Sequence, residues 1–197
     1  MMLTELTAVP GAALPVAELR DHLRMGSGFA LAEGQEALLE SHLRAAMAAI
    51  EGRIAKALIR RRFRWVAGCW RDPVALPLAP VAEVHGVTLV DAAGAAVAVP
   101  AARWRLVADM HRPRLAGRGG ALPEVPAEGR AEVEFDAGFG PGWTDVPADL
   151  RQAVLLLAAE FYEHRHDDGS WGAGLPLGVA ALIERWRQVR ILGGGRR

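Results

Sequence analysis

Few side chains in this 197-residue chain combine the types and spacing that chemistry needs, and the densest group is His164-x-His166 with Glu160, Glu163, Asp167 and Asp168 around it. Imidazoles and carboxylates are ordinary zinc ligands, yet residues two apart on a helix point to different faces, and only Glu160 and His164 share one. A zinc site needs three or four convergent ligands. The group therefore reads as the solvated polar end of a helix, and no metal is expected. Cys69 is the only cysteine, which excludes an internal disulfide and any multi-cysteine metal centre. His85 or His111 could act as its base after folding, but nothing in Val66-Ala67-Gly68-Cys69-Trp70 activates a thiolate, and a packed, inert side chain is expected. Gly138-Phe139-Gly140-Pro141-Gly142 lacks both Gly-x-Gly-x-x-Gly and a terminal Gly-Lys-Ser/Thr, so it reads as a turn out of a sheet rather than a phosphate cradle. No catalytic residue and no cofactor follow from these groups.

The elements that would position such side chains are legible from periodicity. Pro15–Met25 places Val16, Leu19 and Leu23 at helical spacing. Glu33 to about Arg61 repeats Leu39, Leu43, Met47, Ile50, Ile54 and Leu58 every three or four residues. From Pro73 to Pro126 prolines are too dense for helices, and Phe63–Trp70, Glu83–Val90, Ala102–Val107 and Ala131–Asp136 read as strands. Turn residues at Asp91-Ala92-Ala93-Gly94 and Gly117–Gly120 are expected to join them as hairpins. Helical period returns from Pro147 to about His166, with Leu150, Val154, Leu157, Ala158 and Phe161 on one face, and again from Pro176 with Val179, Leu182, Ile183, Trp186 and Val189. The expected fold is α+β, a four-helix core made of two N-terminal and two C-terminal helices, with a small antiparallel sheet inserted between helices two and three. Residues 1–62, 63–140 and 141–197 form the three parts of one compact unit.

Twenty-three basic side chains balance 23 acidic ones. No apolar run approaches the roughly 20 residues that cross a bilayer, and the chain reads as cytosolic. Within the neutral total, charge is segregated. Residues 53–71 hold seven basic and no acidic side chains (Arg53, Lys56, Arg60, Arg61, Arg62, Arg64, Arg71), interleaved with Phe63, Trp65 and Trp70, whereas residues 131–149 hold five acidic and no basic ones. Three readings stand: a nucleic-acid patch with aromatic stacking, the positive half of a contact between copies, or arginines that complement a helix C-terminus. Near the end, Trp186, Val189, Ile191 and Leu192 alternate with Arg185, Arg187 and Arg190 before Gly193-Gly194-Gly195-Arg196-Arg197. That segment suits either a partner anchor or core.

The run Val146-Pro147-Ala148-Asp149-Leu150-Arg151-Gln152-Ala153-Val154 through Glu160-Phe161-Tyr162-Glu163-His164-Arg165 resembles the head–tail connector (adaptor) proteins of long-tailed phages. Val133–Gly140 before it, Leu175–Arg187 after it, and the N-terminal phrases Leu19–Arg24 and Ala45–Glu51 share the resemblance. It is nearest the gp6-like and phiE125 gp8-like connectors and the adaptor of gene transfer agents. The resemblance implies a structural protein without catalysis, assembled in the bacterial cytoplasm into a virion or phage-like particle. It would form a homo-oligomeric ring of twelve copies beneath the portal, with no membrane partner. Such a ring continues the DNA channel without sequence recognition and docks a head-completion, stopper or tail protein. The portal-docking segment then falls on Trp186, Arg190, Ile191, Leu192, Arg196 and Arg197. A ring needs two different faces that meet, for which Arg60, Arg61 and Arg62 against Glu132, Glu134 and Asp136 are the expected pair. The competing expectation is a DNA-binding accessory protein using residues 53–71.

Overall fold

The computed structural model describes residues 1–25, 34–164 and 174–187. The chain runs through strand β1 (Met2–Glu5), helices α1 (Val16–His22) and α2 (Gln35–Ile54), and strands β2 (Arg61–Ala67), β3 (Val74–Ala75), β4 (Val81–Val90), β5 (Ala96–Ala98), β6 (Trp104–Val107), β7 (Arg114–Gly117) and β8 (Arg130–Ala137). Helices α3 (Ala148–Glu163) and α4 (Leu177–Ile183) follow, and a 3-10 turn over Glu184–Trp186 continues α4.

The α+β class holds, but the strands form two antiparallel sheets where one small inserted sheet was expected. One has five strands in the order β1-β2-β8-β4-β5, the other three in the order β3-β7-β6. β1 was missed because none of its four residues is buried, so Met2-Leu3-Thr4-Glu5 carries no apolar alternation. It is a strand because β2 pairs with it, from Met2 opposite Val66 to Glu5 opposite Phe63. The Asp91–Gly94 turn does join β4 to β5, with the Asp91 carboxylate accepting from the Ala95 N–H at 2.8 Å. Gly117–Gly120 makes no hairpin, because β7 pairs back with β6 and the chain then crosses to the other sheet.

Strand periodicity places one face of the larger sheet inward. On β8, Ala131, Val133, Phe135 and Ala137 are fully buried while Glu132, Glu134 and Asp136 point out. Phe135 lies in cross-strand register with Phe63 of β2, and their rings stack at 5.9 Å between centroids. Burying a side chain of this size contributes about 2–3 kcal/mol.

The helices share a second apolar cluster. It joins Leu19 of α1, six residues of α2 including Leu43 and Ile50, the inner face of α3, and Val179 and Ile183 of α4. Only α2 and α3 are long; α1 and α4 have seven residues each, so the expected four-helix core is a pair of long helices flanked by two short ones. α2 was expected to reach about Arg61 but ends at Ile54. Ala55 adopts φ 53°, and hydrogen bonds from Ala57 N–H to Ala79 O (3.0 Å) and from Ala79 N–H to Ala55 O (3.2 Å) capture the chain for the strand region. Gly138 is required where β8 leaves the sheet: its φ is 135°, and a Cβ there would collide with the Arg60 backbone.

Candidate functional site

Strand register decides what the charged stretches meet. β2 and β8 are neighbours, so Arg62 lies opposite Asp136 and Arg64 opposite Glu134. On the sheet's outer face Arg62 Nε donates to Asp136 Oδ1 at 3.0 Å, and Arg64 Nη2 donates to Glu134 Oε1 at 2.6 Å. His85 Nε2 lies 2.9 Å from Asp136 Oδ2 and Arg130 Nε 2.7 Å from Glu132 Oε1. Burial raises the Asp136 pKa, but hydrogen bonds from Arg62 and His85 outweigh it and hold the carboxyl below its ordinary value. The complementarity read from the sequence between two copies is thus met within one copy. Of the six residues expected at a subunit contact, Arg60 alone has no such pair among the described residues; it is exposed.

Arg61 points the other way. Its guanidinium binds Glu51 of α2 through two parallel bonds, Nη1 to Oε1 at 3.0 Å and Nη2 to Oε2 at 2.7 Å. Glu5 of β1 lies 2.8 Å from Nε, and the cation sits 5.0 Å above the Phe63 ring. Burial alone would lower its pKa, but Glu51 and then Glu5 hold it above the ordinary arginine value. Lys56, five residues earlier, is fully buried, and its Nζ has no hydrogen-bond partner among the described residues. Burial pushes the Lys56 pKa down, and Asp109 only partly offsets this. Of the seven basic side chains in the stretch that suggested a nucleic-acid patch, Lys56 is enclosed, Arg61 is clasped, and Arg62 and Arg64 are paired with neighbours, while Arg53, Arg60 and Arg71 are exposed.

The C-terminal anchor was expected to begin at Trp186. That side chain is only 9% exposed and belongs to the helical core. Its indole N–H donates to Asp149 Oδ2 at 2.7 Å, Phe139 meets its ring edge-on at 5.4 Å, and Arg185 stacks over it at 4.8 Å. Arg185 Nε also reaches Asp149 Oδ2 at 2.7 Å. Burial raises the Asp149 pKa, but bonds from Trp186 and Arg185 bring it below the ordinary value. Arg190, Ile191, Leu192, Arg196 and Arg197 lie outside the described residues, as do His166, Asp167 and Asp168.

Cys69 is exposed, contrary to the expected packing, because β2 ends at Ala67 and the chain leaves the sheet before it. At the end of α3, ligand atoms of Glu160, Glu163 and His164 lie within 4.8 Å of one another. His164 Nδ1 already lies 3.2 Å from the Glu160 carbonyl oxygen, and the side chain is 40% exposed, which suits a helix end. Gly138–Gly142 acts as the expected turn: Arg60 N–H donates to Gly140 O at 2.7 Å, and Gly142 N–H donates to Asp145 Oδ2 at 2.9 Å. None of the helices is long and apolar enough to cross a membrane, among the described residues.

No protein-family model matches the chain. No curated protein matches it either. Solved structures do. A chain in the neck of an empty GTA particle, computed with C6 symmetry, is 59% identical over 98% of this chain and 99% of that one, with a TM-score of 0.87. A chain in the virion of a native gene transfer agent particle is 60% identical over the same shares, with a TM-score of 0.86. A chain in the neck of a native GTA particle, computed with C12 symmetry, is 56% identical over 98% and 99%, with a TM-score of 0.82.

Proposed function

The chain belongs to the head–tail adaptor family of gene transfer agent necks, and from that premise we propose that twelve copies form a ring beneath the portal, extend the DNA channel and dock the next head-completion, stopper or tail protein. It is a structural particle component and not an enzyme. The observation that carries the ring is near full-length similarity to neck chains computed with C6 and C12 symmetry; twelve copies fit both, since six divides twelve. DNA passing through such a ring needs no base readout, and four of the seven basic side chains of residues 53–71 are enclosed or paired within the copy.

In this reading residues 188–197, with Arg190, Ile191, Leu192, Arg196 and Arg197, make the portal contact. Arg60, exposed and unpaired among the described residues, and the outer part of Arg62 are the charged rim of a subunit contact, since Glu134 and Asp136 are engaged within the copy. Electron microscopy of this protein co-expressed with the portal of the same particle tests the proposal. The expected result is an added ring on the portal's tail-facing side that is lost when residues 188–197 are deleted, a cut that spares Trp186. A bare portal beside monomeric protein overturns it.

A further inference from the structure

A ring built by rotation joins two different surfaces of each copy, and the larger sheet has two unlike open edges. β1 forms one and β5 the other. The hydrogen bond from Leu6 N–H to Arg62 O at 2.8 Å fixes the alternation on the first edge. In register with it, Met2 and Thr4 turn their backbone groups toward β2, and Leu3 and Glu5 turn theirs outward. On the other edge, Val99 N–H donates to Val87 O at 2.8 Å and Asp91 N–H to Ala95 O at 3.0 Å, so Val97 faces β4 while Ala96 and Ala98 face outward. Each edge therefore offers two residues, spaced by two, whose N–H and C=O groups meet no partner strand among the described residues.

Exposed strand edges are normally guarded by lysine, proline or a bulge, since an unguarded edge pairs with another chain. Both strands are short, and Pro100 follows β5, but neither strand contains lysine, proline or a bulge. Glu5 is the one charge on β1 and is drawn to Arg61, and β5 is Ala-Val-Ala. Apolar exposure gathers at the same two places: of eight exposed large hydrophobic side chains among the described residues, five (Met1, Met2, Leu3, Leu6 and Val97) lie on or beside these strands, with Met1 at 91% and Val97 at 66%.

We propose that neighbouring copies are joined edge to edge, the open edge of β1 in one copy pairing with the open edge of β5 in the next. The occupant of each edge is a second copy of this chain, and the contact rests on the ring reading above. Main-chain bonds supply the join, and the apolar side chains around it lose water on assembly. Small side chains at Ala96 and Ala98 leave room for a strand to approach.

The full chain co-expressed with its portal provides the test. With Cys69→Ser throughout, Met2→Cys combined with Val97→Cys is treated with a short bismaleimide; a ladder of covalent multimers is expected, while either cysteine alone gives none. In parallel, Leu3→Pro and Ala96→Pro each remove one outward N–H and leave the ladders with β2 and β4 intact. Each is expected to cut ring yield at least tenfold with the thermal midpoint unchanged. Rings of wild-type quality from the proline variants, or rings whose double-cysteine form links to the portal or not at all, overturn the edge contact and leave the ring standing. Wild-type protein that stays monomeric beside the portal removes the ring, and this contact with it.

Discussion

Two cations five residues apart, the largely buried Arg61 and the fully buried Lys56, sit where helices give way to strands, and the chain treats them in opposite ways. Around Arg61 the fold supplies a carboxylate from α2, another from β1 and an aromatic face, so that one side chain ties both layers together. Around Lys56 it supplies enclosure and, among the described residues, no hydrogen-bond partner. Burial is common to both; only geometry separates them. A planar guanidinium matches a carboxylate through two parallel bonds, whereas the enclosed Lys56 ammonium loses its hydration and is compensated only in part by the charge of Asp109. A buried charge therefore stabilises this junction only where another element brings the counter-charge.

The most severe way to break that contrast is Glu51→Ala, which removes the two-bond partner of Arg61, leaves it Glu5 alone, and also removes the acceptor of the Leu58 N–H, bonded at 2.7 Å. A loss of about 3–5 kcal/mol is expected in denaturant unfolding. Lys56→Met acts in the opposite sense and is expected to stabilise the protein by about 1–2 kcal/mol at neutral pH. The sign follows from linkage. The folded-state pKa lies below 10.5, so the unfolded chain binds more protons between that value and 10.5, and wild-type stability rises with pH across the window. Thermal midpoints measured from pH 7 to 10 should show this rise in the wild type and lose its Lys56 part in the variant.

Asp149 sharpens the comparison from an intermediate position, being partly buried and bonded to Trp186 and Arg185. Asp149→Asn should cost about 1 kcal/mol. Because its folded pKa is depressed below 3.8, its contribution is present above that value and fades as pH falls through the folded one, which acid-unfolding curves of the two proteins will resolve. The smallest effect belongs to Arg64→Gln on the exposed sheet face. Its pair with Glu134 is water-screened, and the unfolding midpoint in 0.15 M salt should not move measurably.

Much of this was legible in the chain itself. The apolar period of α3 and the alternation of β8 are local patterns, and both elements lie within a few residues of where those patterns put them. The errors have a common origin in distance along the chain. Leu58 continues the α2 rhythm, yet Ala79, more than twenty residues on, captures the backbone first. Trp186 beside a glycine-rich end resembled an exposed anchor because its partners Asp149 and Phe139 lie some forty residues earlier. The acidic and basic stretches are visible in the sequence, but their meeting inside one copy is not, because that depends on β2 and β8 being neighbours across a gap of about seventy residues.

By itself, then, the sequence determined the α+β class, the inward faces of the long helices and of β8, the segregation of charge and the resemblance to head–tail adaptors. These rest on periodicity and composition, which act between residues a turn or a pleat apart. Only the tertiary structure decided that the strands split into two sheets, that β1 and β5 are open edges, that Trp186 is core, and which buried cation has a partner. Strand order and register are set by contacts between distant segments, and a one-residue shift in register would re-pair every charge on the sheet.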